Sequence, residues 1–149
     1  MSSSSKTVKF VASHTNTVNA SPSEVWAIWS DVSKWAALDP STHKDASING
    51  AFVPGAVVTL GLRDGKSVKV HLKTVKENKE FSDETPLPSG VVRTLHKLEQ
   101  SGDNLILTYT VEAEIAAEDA QAFKNGLWQN LVAGVPSQVS NVAALALAA

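Results

Sequence analysis

The chain has 149 residues, of which 43% are hydrophobic and 19% charged, as expected for one globular domain. Its net charge is −2, with lysines spread along the chain and only two arginines, which argues against a nucleic-acid-binding protein with its usual basic stripe. Because the chain has no cysteine, disulfides, thiolate nucleophiles and zinc–thiolate sites are excluded.

The start of the chain is polar and has no apolar run of signal-peptide length. No segment approaches the roughly 18–20 consecutive apolar residues of a membrane-spanning helix. We therefore expect a cytoplasmic protein without a membrane span. Residues 1–6 are predicted to form a disordered lead, and residues 7–149 a single domain.

The first predicted element is a β-strand over Thr7–Val18, where alternation places Phe10, His14 and Val18 on one face. A helix is predicted to follow, because Ser21, Pro22 and Glu24 form a capping box with proline at the first helical position. This helix extends to about Ser30. A second short helix, "DVSKWAAL", begins after Asp31 and ends before Pro40.

Six further strands are predicted between Pro40 and Ile115, separated by turn signals such as Asp64-Gly65 and "SGD" at residues 101–103. They cover Asp45–Gly50, Ala56–Arg63, Ser67–Glu77, Lys79–Glu84, Val91–Gln100 and Asn104–Ile115. Since the connections are short, the strands are predicted to form an antiparallel sheet.

The tail from Ala117 to Ala149 is predicted to be one long amphipathic helix, bent at Pro136. Its apolar half carries Phe123, Leu127, Trp128, Leu131 and several valines. A curved seven-stranded sheet would bury that half against its concave face, which gives an α+β architecture closed at one end by the two short helices.

The stretch "VNASPSEVWAIWSDVSKWAALDP" resembles a signature of the SRPBCC or START-like superfamily, which has the helix-grip fold. The shared features are the capping Ser-Pro, the Val-Trp pair, and Asp and Trp before a proline. "TLHKLEQSGDNLILTYTVEAE" is similar to the last hairpin of that family, although Asp103-Asn104 replace its common Gly-Thr. The order of elements matches from about Val8 to Leu145.

The resemblance implies an apolar cavity between the sheet and the long helix. The superfamily includes the birch pollen allergen group, polyketide cyclases and lipid-transfer domains, so one fold serves many functions. The expected partner is a small hydrophobic molecule rather than a nucleic acid, and no cofactor is expected. A homodimer is left open.

Three polar side chains are predicted to face that cavity and to be catalytic: His14, His96 and Tyr109. A histidine would act as general acid or base, and the tyrosine hydroxyl would contact an oxyanion or a substrate hydroxyl. The alternative for each histidine is a core residue hydrogen-bonded to a neighbour. A shift of one residue in a strand would turn its whole set outward.

The candidate ligand contacts are apolar residues of the first strand and long helix, with residues near the expected cavity mouth: Phe10, Trp35, His43, Phe123, Leu127, Trp128 and Leu131. Trp26 and Trp29 are expected to hold the first helix against the sheet. His43 and Asp45 offer only two metal ligands, so no metal site is predicted.

Three functions remain open, and the family resemblance favours the first. The first is a cofactor-independent cyclase or dehydratase acting on a polyketide-like or aromatic substrate. The second is a carrier or sensor that binds an apolar molecule without changing it. The third is an interaction module that docks a protein through exposed tryptophans.

Overall fold

The computed structural model describes residues 6–40 and 43–148. Residues 1–5 of the predicted lead therefore lie outside the described residues. The elements, in chain order, are β1 (Thr7–Val18), α1 (Pro22–Trp29), a 3-10 turn (Val32–Lys34), α2 (Trp35–Leu38), β2 (His43–Ile48), β3 (Val57–Leu62), β4 (Ser67–Lys76), β5 (Glu80–Leu87), β6 (Gly90–Ser101), β7 (Asn104–Ala116), a second 3-10 turn (Ala117–Asp119), α3 (Ala120–Asn125) and α4 (Leu127–Ala148).

The seven strands form one antiparallel sheet in the order β1-β7-β6-β5-β4-β3-β2. Five of its six strand pairs join consecutive strands, and β1 pairs with β7 along its whole length. The predicted seven-stranded sheet is thus confirmed. The buried side chains of β7 alternate from Leu105 to Ile115, and they face the buried valines of α4 across the core.

The start of α1 confirms the predicted capping box. The Ser21 hydroxyl accepts a hydrogen bond from the Glu24 backbone N–H at 3.2 Å, and the Glu24 carboxylate accepts one from the Ser21 N–H at 2.9 Å. Trp26 and Trp29 are both buried and contact Phe81 of the sheet edge-on. They hold α1 against the sheet, as predicted.

All four tryptophans are buried, and the most accessible, Trp128, is only 9% exposed. An interaction module that docks through exposed tryptophans is therefore wrong for this structure. A tryptophan side chain has a large apolar area, and in this structure that area packs in the protein's own core.

Strand β2 begins at His43, two residues earlier than predicted, and its pairing with β3 shifts between His43 and Asp45. The Asp45 carboxylate passes over Gly61 of β3 so closely that a Cβ at that position would collide with it. The irregularity thus lies in β2, and Gly61 of β3 provides the room for the Asp45 carboxylate.

The single C-terminal helix predicted from Ala117 is wrong in its first part. The segment starts as a 3-10 turn, continues as α3 and is interrupted at Gly126 before α4 begins. Gly126 leaves the helical conformation, with φ −119° and ψ −102°. Pro136 lies inside α4 on an exposed position and does not end the helix.

Candidate functional site

A cavity of about 220 Å³ lies between the sheet, α2 and the first half of α4. Its walls are mainly apolar, with contributions from Trp35, Leu38, Leu60, Leu62, Val68, Val70, Phe81, Leu87, Val92, Leu127 and Leu131. Polar side chains also reach it, namely Asp39, His43, Asp83, Thr85, Thr94, His96, Tyr109, Asn130 and Gln138. An apolar cavity with a few convergent polar groups is typical of a small-molecule site.

Strand pairing brings the central polar groups together. In the register of the sheet, Asp83 of β5 lies opposite Thr94 of β6, and His96 of β6 lies opposite Tyr109 of β7. Residues directly opposite each other in an antiparallel pair point to the same face. These four side chains therefore form one polar patch on the concave face, in the floor of the cavity.

Asp83 is the most unusual group in this patch, because it is only 5% exposed. Burial disfavours its charged form and raises the pKa of its carboxyl from 3.8 to about 7. The Thr94 hydroxyl opposes that rise, and the negative charge of Glu84 adds to it. Asp83 can therefore exchange a proton near neutral pH, which is the property of a general acid or base.

His96 is held between aromatic rings. It stacks on Phe81, with ring centroids 4.0 Å apart and planes 9° apart, and it contacts Tyr109 edge-on at 4.8 Å. Burial lowers the pKa of His96 to about 3, against a smaller opposing effect of the Phe81 backbone. Its imidazole is thus neutral at physiological pH, and its Nδ1 has no hydrogen-bond partner among the described residues.

Tyr109 also keeps its proton. Burial raises the pKa of its phenol strongly, and the negative charges of Asp83 and Asp39 raise it further. The hydroxyl is therefore neutral at any physiological pH. It can donate a hydrogen bond to a ligand oxygen, as an oxyanion or carbonyl contact requires.

A second polar group lies across the cavity, where α2 ends and β2 begins. Burial lowers the pKa of His43, while the carboxylate of Asp39 opposes that shift. The Asp39 carboxylate lies close to the backbone of α4, because a Cβ added to Gly134 would be 3.4 Å from its Oδ2. Leu127, at the start of α4, is 42% exposed and marks the solvent side of the cavity.

The structure divides the residues that the sequence suggested for the site. Six of them line the cavity: Trp35, His43, His96, Tyr109, Leu127 and Leu131. His43 does so from the first residue of β2 and not from a loop. Trp35 stacks on Phe81, and its Nε1 donates a hydrogen bond to the Trp29 carbonyl at 2.8 Å.

Four suggested residues lie outside the cavity lining. His14 is opposite Tyr109 in the β1–β7 pair, so it shares the concave face, but it lies on the edge strand and is half-buried. Phe10, Phe123 and Trp128 contact one another, with ring centroids 5.2 to 6.0 Å apart. They form a packed cluster between β1, α3 and α4.

Sequence reasoning missed Asp83 and Thr94. Asp83 lies between two glutamates in a charged stretch, which favours a solvated strand. The signal was the alternation itself, because Phe81 is apolar and Asp83 is two residues later on the same face. Thr94 could have been found in the same way from its neighbours Val92 and His96.

The part of the chain that the structure describes contains no cluster of three or more His, Asp or Glu side chains suited to hold a metal ion. Over the same ranges, no helix has the length and apolar character needed to cross a membrane.

Comparisons with known proteins rest on structure alone. No protein-family model matches the chain, and no curated protein matches its sequence. Among solved structures, truncated norcoclaurine synthase from Thalictrum flavum superposes with a TM-score of 0.77 and 16% identity, covering 99% of this chain and 98% of that one. The chain has the helix-grip fold.

Two further solved structures also match this chain over most of its length. Norcoclaurine synthase from Thalictrum flavum in complex with dopamine and hydroxybenzaldehyde has a TM-score of 0.73 and 15% identity, over 95% of this chain and 88% of that one. Ara h 8.0201 has a TM-score of 0.68 and 14% identity, over 95% of this chain and all of that one. At these identities the likeness establishes the fold that the sequence resemblance implied, and no more.

Proposed function

We propose that this helix-grip protein binds a small, largely apolar molecule in its cavity and catalyses a proton transfer on it, with Asp83 as the acid and base. The observation that carries the proposal is a buried carboxyl in an apolar cavity, with a pKa of about 7. A group with a pKa near the working pH both accepts and returns protons efficiently.

The size of the cavity supports a ligand with one aromatic ring. Engineered protein cavities of about 150 Å³ accommodate benzene, so about 220 Å³ accommodates one substituted ring. The structurally similar norcoclaurine synthase was solved in complex with dopamine and hydroxybenzaldehyde. That complex supports the binding of small single-ring ligands by this fold.

The proposed chemistry is of the dehydratase or cyclase type. The Asp83 carboxylate removes a proton from a carbon next to a carbonyl group, while the Tyr109 hydroxyl donates a hydrogen bond to the carbonyl oxygen as it gains charge. The protonated Asp83 then gives its proton to a hydroxyl on the next carbon, which leaves as water. The neutral His96 ring orients the substrate and takes no proton.

The test is the dehydration of a single-ring β-hydroxy ketone, 4-hydroxy-4-phenylbutan-2-one, followed through the ultraviolet absorbance of the conjugated product. Asp83→Asn should lower the rate constant kcat by about 10²- to 10⁴-fold, because proton transfer by a positioned group contributes that much. Glu114→Gln, on the outer face and paired with Arg93, is the matched control and should stay within about twofold of the unmodified protein.

The pH profile gives an independent readout. The unmodified protein should show an ionisation near pH 7 in kcat/KM, and Asp83→Asn should lack it. If a substrate is turned over equally well by Asp83→Asn and by the unmodified protein, Asp83 has no part in the reaction.

One observation favours a carrier as the second candidate. His96 and Tyr109 both keep a fixed, neutral protonation state around pH 7, which suits groups that orient a ligand and do not transfer protons. Native mass spectrometry of protein purified from its own host would detect a co-purifying ligand. A ligand recovered intact after long incubation supports the carrier, and a ligand converted to a dehydrated product supports the enzyme.

A further inference from the structure

The charges around the cavity are one-sided. Its lining includes two carboxylic acids, Asp39 and Asp83, and neither a lysine nor an arginine, although the chain has thirteen lysines and arginines in all. The two histidines of the lining, His43 and His96, both have lowered pKa values because they are buried. At neutral pH the walls thus offer negative charge and neutral polar atoms.

Asp83 lacks the kind of partner that other acidic residues of the sheet possess. Glu84 and Glu114 pair with Arg93 at 2.9 and 3.2 Å, whereas no ion pair of the described residues involves Asp83. A buried carboxylate without a cation is costly, because it has lost its hydration and gained little in return. A bound cation would supply the missing charge.

Aromatic rings surround the same space. Trp35 stacks on Phe81, and Tyr109 lies 4.8 Å from His96, so three rings other than histidine line the cavity beside Asp83. Phe81 stacks on both His96 and Trp35, so these rings act as an apolar wall and not as faces open to a cation. Together with Asp83, this wall therefore suits a molecule with one cationic group and an apolar body.

We propose that the ligand of this cavity is a protonated amine with an apolar, single-ring body, whose ammonium group lies against Asp83. The ammonium donates charge-assisted hydrogen bonds to the carboxylate, while the ring packs against the leucines and valines of the cavity. A carboxylate or phosphate ligand would instead place a second negative charge beside Asp83 with no cation to offset it.

This inference rests on the proposed function and deepens it. An ammonium beside Asp83 stabilises the ionised carboxylate, which is the form that accepts a proton. Binding of an amine substrate would thus increase the fraction of Asp83 that is ionised at neutral pH, while lowering its pKa. The same coupling means that binding an amine releases a proton from the protein when the pH lies below about 7.

The groups that face Asp83 decide how its pH dependence can be measured. They are Thr94 and His96 from β6, Tyr109 from β7, and Asp39 and His43 across the cavity. Glu84, the next residue of β5, points to the outer face, but its charge also acts on Asp83. Affinity for the amine should rise about tenfold from pH 6 to pH 8, in proportion to the ionised fraction of a carboxyl with a pKa of about 7. Asp83→Asn should abolish that rise, which separates the effect of Asp83 from those of His43 and Asp39.

The experiment compares three matched probes by titration calorimetry: 2-phenylethylamine, 2-phenylethanol and phenylacetate. At pH 8 the unmodified protein should bind the amine at least about tenfold more tightly than the alcohol, with phenylacetate weakest, since one charge-assisted contact commonly makes such a difference. Asp83→Asn should bind amine and alcohol alike. Glu114→Gln, a change on the outer face where the carboxylate pairs with Arg93, should keep the preference.

The outcomes separate the two proposals. If the alcohol or phenylacetate binds as tightly as the amine, the amine assignment is wrong, and the cavity still binds small molecules. If none of the three binds, the proposed function fails and the amine assignment fails with it. Should Asp83→Asn not fold, the pH series on the unmodified protein decides, and a flat amine affinity from pH 6 to pH 8 overturns the assignment.

Discussion

Asp83 and Glu84 are consecutive residues of β5, yet their carboxyl groups lie in opposite environments. Asp83 points into the cavity, is 5% exposed, and has a pKa raised to about 7 by burial. Glu84 points to the outer face, where the guanidinium of Arg93 donates a hydrogen bond at 2.9 Å and lowers its pKa. Lys73, 3.4 Å away, lowers it further.

The face of the strand on which each carboxyl lies, and not the charge of its neighbours in the sequence, therefore sets the direction of its pKa shift. A strand with period two sends neighbours to opposite faces. One face of this sheet is a low-dielectric cavity wall, and the other carries a network in which Arg93 contacts three glutamates. The same functional group therefore has a raised pKa on one face and is part of an ion pair with a lowered pKa on the other.

The largest expected effect on stability concerns Phe81 and Ser82, the two residues that precede Asp83. Phe81 shares the inner face with Asp83, is 1% exposed, and stacks on His96. Phe81→Ala should lower the free energy of unfolding by about 3–5 kcal/mol, since it leaves a hole in the core. Ser82→Ala, on the outer face, should cost about 1 kcal/mol, because it removes two exposed hydrogen bonds, one from the Thr74 backbone N–H and one with the Thr74 hydroxyl. Urea denaturation measures both, and equal losses would contradict the two-face picture.

The pH dependence of the free energy of unfolding is a second test of the different environments of Asp83 and Glu84. The folded protein binds the Asp83 proton more tightly than the unfolded chain, so its free energy of unfolding should fall as the pH rises from about 4 to about 7. Asp83→Asn should lack that fall. The free energy of unfolding of Asp83→Asn minus that of the unmodified protein should therefore increase by about 4 kcal/mol from pH 4 to pH 8. Urea titrations at pH 4, 6 and 8 measure the difference.

Glu84→Gln provides the control of opposite sign. Since the folded-state pKa of Glu84 is lowered, its ionised form stabilises the fold above its unfolded pKa, and that stabilisation is lost as the pH falls through the folded value. The glutamine variant should therefore lose a little stability at pH 8 and none at low pH. Parallel pH profiles for the Asp83 and Glu84 variants would show that their environments are alike.

The smallest effect concerns the outer network. Arg93→Gln should destabilise the protein by at most about 1 kcal/mol, because the side chains of the network are partly exposed and screened by water. The loss should shrink in 1 M salt, where charges are screened over about 3 Å. The pKa of Glu84, followed by NMR, should rise towards its usual value while that of Asp83 changes little. A large, salt-independent loss would mean that Arg93 is a core residue.

Much of the fold could be predicted because its signals are local. The bounds of β1 follow from alternation between Thr7 and Val18, and the start of α1 follows from a capping box that needs only Ser21 and Glu24. The faces of His96 and Tyr109 follow from the same alternation. Each of these features depends on neighbours within a few residues along the chain.

The C-terminal helical segment shows a limit of prediction from local sequence patterns. Phe123, Leu127, Trp128 and Leu131 all lie on one apolar half, so the pattern treats them alike. In the structure Leu127 and Leu131, four residues apart, line the cavity, while Phe123 and Trp128 pack on Phe10. The break at Gly126 lies between Phe123 and the other three residues, and the position of β1 places Trp128 against Phe10. Neither is encoded in the helix's own periodicity.

By itself, the sequence determined the strands, the capped helix and the order that makes a helix-grip sheet, because turn residues and periodicity act over short distances. Only the tertiary structure decided that Asp83 is buried in the cavity wall and that His14 lies on the edge strand. A carboxyl acquires a pKa of about 7 when distant strands and helices remove its water, and no neighbour in the chain can do that alone.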